Sequence, residues 1–342
     1  MGSVKQLEVG REPSGDDLGR GSFYFTDDYS VFDWGKMPDE IPGKGASLCT
    51  MGAYNFELLE SEGVDTHYRG VVVEDGDVVD LDAASDAPRT MAVDLARVPE
   101  LPHSEDGYDY EAFHREAGDS YLIPLEIVFR NAVPVGSSLR RRRKPEDVGL
   151  DLDDWPDEHV DLSEPVVEYS TKFEEKDRYL DDDEALRISG LDDLASLRET
   201  AEDVNRVVTE RAEDVGFVHL DGKIECFYHE GEVVVADVAG TFDENRFLYD
   251  DLQLSKEYVR QHYRSYDPDW VEAVEDAKRE AEERGVADWR ELCEIQPKPL
   301  SEEVVQLTSD VYRSGADRYT DGERFDAPSL DDVVERARRL RS

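Results

Sequence analysis

The sequence predicts an α+β protein: an antiparallel-sheet amino-terminal lobe, a central α/β lobe and a carboxy-terminal set of helices. Three observations carry this expectation. Short apolar runs divided by turn residues fill residues 1–79. Two pairs of β-rich runs are joined by tight-turn signals, Asp75-Gly76 and His229-Glu-Gly231. Helical apolar spacing dominates the last third of the chain. A length of 342 residues allows about two domains of usual size. The pattern divides at 1–121, 122–265 and 266–342.

Taken in order, apolar spacing over 48–62, stopped by Gly63, reads as a helix. Residues 71–79 read as a hairpin about Asp75-Gly76, and a strand is expected over 91–95. The rest of 82–120, rich in Asp, Pro and His, reads as an exposed insertion. The apolar run 121–129 is long enough for one buried strand, and a Gly136-Ser-Ser138 turn follows. The acidic, proline-punctuated stretch 145–163 reads as loop. Leu194, Leu197, Ala201, Val204, Val208 and Ala212 recur at helical spacing, so a helix is expected over 192–215. Strands over 217–228 and 232–236 form a second hairpin, and a loop runs to Tyr249. Helices are expected over 255–264, 268–284, 301–319 and 331–340.

The chain carries 84 Asp plus Glu against 39 Lys plus Arg, a formal charge of −45. A basic footprint for nucleic acid is missing, since the one cationic run is Arg140 to Lys144. A polyanion is also repelled by an anionic membrane surface. High charge can mean disorder, yet 16 Tyr, 12 Phe and 4 Trp are spread along the chain, which fits a folded core under an acidic coat. Such a coat suits very concentrated salt, where screening over a few ångströms blunts self-repulsion. With 10 Lys among the 39 cations, each lysine is more often held by a chemical need; Lys44, Lys172, Lys223 and Lys256 fall inside motifs. Cys49, Cys226 and Cys293 are far apart and odd in number, against a disulfide framework or a cysteine zinc site. No apolar run approaches about 18 residues, so a soluble cytoplasmic protein is expected.

Two constellations carry chemistry. In Asp221-Gly-Lys223-Ile-Glu225, strand alternation puts Asp221, Lys223 and Glu225 on one face, with Leu220, Ile224 and in part Cys226 on the other. Asp237 ends the partner strand, where it can share a cation with Glu225, and such oxygen ligands suit Mg2+. The plain alternative is a solvated strand face laced with an ion pair. Arg130 at the end of a strand beside Gly136-Ser137-Ser138 offers a guanidinium fork, backbone N–H groups and a hydroxyl to one phosphate. Its alternative is a hairpin turn with a surface arginine. His67, His103 and His114 lack metal spacing.

Together with Pro42-Gly-Lys44-Gly45, Ser170-Thr-Lys172, Gly231-Glu-Val-Val-Val-Ala-Asp237, Asp243-Glu-Asn-Arg246-Phe247, Leu254-Ser-Lys256-Glu-Tyr-Val-Arg260-Gln261 and 299–308, these motifs resemble the phosphoribosylaminoimidazole-succinocarboxamide synthase (SAICAR synthetase) family, in the family's order. The resemblance spans about 19–325. It implies that fold, with the amino-terminal sheet lobe clamping ATP, and an ATP-dependent ligase of purine biosynthesis. Its substrates would be carboxyaminoimidazole ribonucleotide (CAIR), L-aspartate and ATP, with Mg2+ as cofactor; self-association is left open. Glu225 and Asp237 would bind Mg2+, and Lys172 and Lys223 would neutralise ATP phosphates. Asp221 would orient the imidazole or carboxylate end of CAIR. Arg130, Arg246 and Ser137 or Ser138 would hold its phosphate, and Lys256 and Arg260 belong to the substrate set. Tyr121, Leu122 and Ile123 would meet adenine through backbone, with Lys44 also on the nucleotide side. A turn at Gly19, Arg20, Gly21 and Ser22 would cover the phosphates; it departs from the family's Gly-Lys-x-Arg or Gly-Lys-x-Lys, and Val238 stands where an acid is common. Asp33 matches a stretch at the site's edge, and Asp177 would orient aspartate. The segments 94–120, 146–161 and 267–295 have no functional reading and are assigned to the surface. The alternatives are a ligase or kinase for another phosphorylated carboxylate, and a nucleotide-binding module of this fold without catalysis.

Overall fold

The computed structural model describes residues 4–15, 17–104, 107–174, 178–286 and 288–341. Strands β1 (Lys5–Arg11) and β2 (Gly19–Phe25) pair antiparallel, and reciprocal backbone bonds of 3.1 and 3.0 Å between Ser14 and Asp17 close the connection. Helix α1 (Lys44–Ser61) buries Leu48, Met51, Phe56 and Leu59. Strands β3 (Tyr68–Val72), β4 (Val78–Val79) and β5 (Thr90–Leu95) complete a five-stranded antiparallel sheet in the order β1-β2-β5-β3-β4. The expected Asp-Gly turn joins β3 to β4, with Gly76 at φ 84°.

The segment expected to be an exposed insertion contains β6 (His103–Ser104), β7 (Gly107–Tyr108) and helix α2 (Tyr110–Ala117). The Asp109 carboxylate caps α2 by accepting from the Ala112 N–H at 2.9 Å. Because α2 buries Tyr110, Phe113 and Ala117, it is a packed element; two helical turns are too short to stand out from an Asp- and Pro-rich background.

The single strand expected over 121–129 is two, β8 (Ser120–Leu122) and β9 (Leu125–Val133). Pro124 has no N–H with which to continue a ladder. Beyond α3 (Leu139–Arg142), the stretch read as loop gives a 3₁₀ turn, Pro145–Val148, and the start of β10 (Val160–Thr171). Strand β11 (Tyr179–Leu180) and helices α4 (Asp182–Ser189) and α5 (Ala195–Asp214) follow. The long β12 (Val218–His229) turns back as β13 (Glu232–Ala236), and the expected loop holds β14 (Asn245–Tyr249) before β15 (Leu252–Gln253). This second antiparallel sheet runs β11-β10-β9-β12-β14-β15, with β8 and β13 also on β12.

Helix α5 lays its apolar stripe on one face of that sheet, burying Leu197, Ala201, Val204, Val208 and Ala212. Helices α6 (Glu257–Tyr266), α7 (Pro268–Arg284), α8 (Glu302–Thr320) and α9 (Leu330–Arg341) finish the chain. Pro268 suits the first turn of α7, where its missing N–H costs nothing. Continuous apolar packing joins both sheets and the helices. Among the described residues no helix is long and apolar enough to cross a membrane.

Candidate active site

The strand register assembles a charged face. Asp221 lies opposite Arg130 on β9 and Arg246 on β14, while Val128 lies between Lys223 and Glu168. Alternation then puts Glu126, Arg130, Glu168, Ser170, Asp221, Lys223, Glu225 and Arg246 on the face turned away from α5. Asn131, one residue past Arg130, hydrogen-bonds Asn205 of α5 at 2.9 Å on the opposite side. Leu220, at a register shift between His219 and Asp221, instead reaches a cavity of about 570 Å³ also walled by Gly136, Arg246, Gln261 and Arg264.

Asp221 is the centre of one half of this face. Its carboxylate accepts from Arg130 Nη1 at 3.0 Å and Arg246 Nε at 2.7 Å, and also from Arg246 Nη2. Burial pushes the Asp221 carboxyl up, but Arg246 and Arg130 outweigh it and hold the group below its usual range. Arg130 is 2% exposed and so is Ser137. Its guanidinium is occupied by Glu168 at 2.8 Å, Asp221, the Ser137 hydroxyl at 3.3 Å and the Tyr179 hydroxyl at 3.1 Å. Arg130 and Ser137 are thus bonded within the cluster, while Arg246 lines the cavity. Ser138 donates to the Tyr179 hydroxyl at 3.3 Å. Arg142 adds a fork on Glu168, at 2.9 and 3.1 Å, and stacks 3.4 Å above the Tyr179 ring.

The other half holds lysines and acids. Lys223 Nζ donates to Glu126 at 2.6 Å and lies 3.4 Å from Glu244. Burial lowers Lys223, yet Glu244, Glu126 and Glu225 lift it well above its ordinary value, so it is charged at any working pH. Lys172 pairs with Glu225, and Lys5 of β1 pairs with Asp237. Asp237 sits at φ 62°, a left-handed position at the end of β13. Burial, then the charge of Asp237, pushes the Glu225 carboxyl up to about 7 despite Lys172. The Asp237 charge thus acts on Glu225, which lies opposite Ala236 on the neighbouring strand. Two hard oxygen donors that disfavour each other's charge fit a divalent cation held by one or two carboxylates and substrate phosphates. Lys256 is lowered, first by burial, with Glu244, Arg260, Asp243 and Lys223 all within its field.

Three further groups of predicted residues are held in the framework. Gly19, Arg20, Gly21 and Ser22 are not a turn but part of β2, laddered to β1 and β5, so their backbone is spent in the sheet. Lys44 is fully buried; its Nζ donates to Asp243 at 2.7 Å, which also accepts from the Tyr312 hydroxyl at 2.8 Å, so it is a packed brace. The Leu122 and Ile123 amides donate to Arg97 and Cys226 carbonyls at 2.8 and 2.9 Å, and the Tyr121 hydroxyl to Ser189 at 2.9 Å. Arg260 lies 3.4 Å from Glu257 on α6. Asp177 lies outside the described residues. Lys5, Glu126, Glu168, Arg142, Tyr179 and Glu244 also belong to this charged cluster, and sequence patterns gave them no role.

A family model described as SAICAR synthetase matches residues 14–277. The putative phosphoribosylaminoimidazole-succinocarboxamide synthase of Archaeoglobus fulgidus is 41% identical over 342 residues, covering 98% of each chain. The phosphoribosylaminoimidazole-succinocarboxamide synthase of Thermoplasma acidophilum is 34% identical over 312 residues, covering 87% of this chain and 92% of that one. Among solved structures, the SAICAR synthase of Saccharomyces cerevisiae complexed with SAICAR shares the fold, with a TM-score of 0.61, 18% identity and 94% of each chain covered. A SAICAR synthetase in complex with ADP shares it at a TM-score of 0.54 and 24% identity, covering 87% of this chain and 99% of that one.

Proposed function

Because the chain belongs to the SAICAR synthetase family, we propose that it is an ATP-dependent carbon–nitrogen ligase of de novo purine biosynthesis, joining L-aspartate to CAIR. The γ-phosphoryl group of ATP passes to a carboxylate oxygen of CAIR, giving ADP and an acyl phosphate. The aspartate amine attacks the acyl carbon and gives up a proton, the carbon–oxygen bond to phosphate breaks, and SAICAR and phosphate leave. Cytoplasmic location and adaptation to concentrated salt are part of this reading.

Such a reaction asks a protein for positioned charge more than for a nucleophile. One observation carries the proposal: Arg130, Asp221, Lys223 and Arg246 share one face of three neighbouring strands, and Lys172, one residue past β10, pairs with Glu225 of the same face. In this reading Lys172 and Lys223 turn from their carboxylate partners to the phosphates. Asp221, fixed between two guanidinium groups, orients the imidazole end of CAIR, and Arg246 in the cavity wall meets its phosphate. Arg20, half exposed on β2 and paired with Asp94, turns to the nucleotide. Glu225 and Asp237 would hold Mg2+, which when bound supplies charge neutralisation at the transferring phosphoryl group. The segments 1–121, 122–265 and 266–342 serve as nucleotide lobe, central lobe and helical support.

The test is product formation by the full chain in concentrated salt. Amide is expected only when CAIR, aspartate, ATP and Mg2+ are all present. ATP consumption that continues unchanged without aspartate, with no amide formed, refutes the proposal in favour of a kinase or of another carboxylate substrate.

A further inference from the structure

His67 immediately precedes β3, at the place where the two sheets meet. Thr66 bridges Val235 of β13 in parallel: the Val235 amide donates to the Asp65 carbonyl at 2.9 Å, and the His67 amide donates to the Val235 carbonyl at 2.9 Å. The His67 carbonyl in turn accepts from the Asp94 amide of β5 at 2.8 Å. Residues 65–67 therefore stitch the β12–β13 hairpin to the amino-terminal sheet. The His67 side chain is buried, edge-on to Phe56 of α1 with ring centroids 5.4 Å apart and tilted to Phe23 of β2 at 5.9 Å. Its two nitrogens face two carbonyl oxygens, Nδ1 that of Asp94 and Nε2 that of Asp237, each at 3.2 Å.

Those two acceptors compete for one proton. Burial pushes the ring down to about 4 despite the nearby Asp237 charge, so at neutral pH it is uncharged and has a single N–H. Asp94 lies inside β5, laddered to β2 opposite Arg20. Asp237 stands one residue past β13, where the ladder with β12 has ended at Glu225 and Ala236, so its carbonyl has the greater need of a donor. Asp237 also sits at φ 62°, a conformation that a residue other than glycine keeps where its surroundings impose it. Carbonyl and side chain share one Cα, so a hydrogen bond that fixes the first fixes the direction of the second. So held, the Asp237 carboxylate pairs with Lys5 across from the amino-terminal sheet.

We infer that His67 is a positioning residue: its Nε2–H donates to the Asp237 carbonyl, holds residue 237 in the left-handed turn, and so keeps the Asp237 carboxylate on the charged face as a ligand for a divalent cation. The inference rests on the reading of Glu225 and Asp237 as Mg2+ ligands given above. It makes the amino-terminal sheet a working part of the metal site, through a histidine that does not itself touch the ion.

The test is Mg2+ binding to the full chain by titration calorimetry at neutral pH and one fixed high salt concentration, with thermal midpoints recorded in parallel. His67→Phe keeps an aromatic ring in place and removes the donor, and Mg2+ affinity is expected to fall about tenfold, the low end of what lost outer support costs a metal site. His67→Gln, whose side-chain amide offers an N–H near the Nε2 position, should return to within about threefold of wild type. Phe56→Leu loosens the same aromatic cluster but leaves the donor, so it should lower the thermal midpoint with Mg2+ affinity within about twofold of wild type. Nitrogen NMR of the isotope-labelled wild-type protein, with the His67 signals identified by their loss in His67→Phe, should place the ring proton on Nε2. Affinity within about twofold of wild type in His67→Phe overturns the inference, as does an equal loss in His67→Gln or in Phe56→Leu, or a wild-type proton on Nδ1. Wild-type protein that binds Mg2+ no better than Asp237→Asn defeats the metal reading and this inference together; a loss in Asp237→Asn with undiminished binding in His67→Phe defeats this inference alone.

Discussion

Replacing Asp221 by Asn removes one charge from the centre of the site while keeping its volume. Asp221 is buried and accepts from Arg130 and Arg246, whose side chains are 3% and 19% exposed. Removing one partner of a buried ion pair costs about 3–5 kcal/mol, because the other charge stays uncompensated. Arg130 keeps Glu168 at 2.8 Å, and Asn retains one acceptor oxygen, so the lower end, about 3 kcal/mol, is expected. Denaturant unfolding of wild type and Asp221→Asn at neutral pH in the same concentrated salt measures it. The pH dependence adds a second constraint. The folded Asp221 carboxyl lies below its usual range, since Arg246 and Arg130 outweigh burial. Its contribution is therefore present above the unfolded value, about 3.9, and is lost as pH falls through the folded one. The gap between the two proteins should stay level down to about pH 5 and narrow below about pH 4. A gap under about 1 kcal/mol at neutral pH, or one that does not narrow in acid, would show that the carboxylate does not carry this cluster.

Other perturbations probe the remaining charges. Lys223→Ala should lower amide formation by about 10²-fold or more, the scale of one positioned charge at a developing anion, and a wild-type rate would remove Lys223 from the mechanism. Mg2+ binding, followed by titration calorimetry of the full chain, should weaken by up to about tenfold per pH unit below the Glu225 value of about 7 and level off above it, since the cation takes the ionised carboxylate. Affinity that is flat between about pH 5 and 8 would count against Glu225 as a ligand. With a formal charge of −45, the chain should melt at lower temperature as salt is diluted, and a midpoint indifferent to salt would mean the acidic coat is no adaptation to it.

What the sequence made legible was local. Period two in β12 puts Asp221, Lys223 and Glu225 on one face whatever surrounds them. Pro268 and Gly285 bound α7, and both ends of that helix agree with its apolar spacing. Cross-strand partners were not legible, because Glu126 and Glu168 meet Lys223 and Arg130 only through a register fixed by tertiary pairing. Lysine scarcity pointed to Lys44 and Lys223 alike, yet one braces Asp243 in the interior and the other lies on the charged face; composition cannot tell a packed lysine from an available one. The same argument applied to Lys5 would have found the partner of Asp237. Gly19 and Gly21 suggested a loop, but Gly21 runs close against the Glu8 carbonyl, and a side chain there would clash. His67 and Asp237 are too far apart in the chain for any local pattern to join them.

Strand β12 changes neighbours along its length. Residues 221–224 pair with β9, and 227–229 pair with β8, on either side of Ile123-Pro124. Those two residues form a spacer of fixed length between two ladders on the same strand. Lengthening it by one residue would oblige β9 to slip while β8 stayed in place, turning Arg130 toward α5 and presenting Phe129 to Asp221. A surface loop that lengthens shifts no ladder, whereas this short joint has to keep count for the whole site.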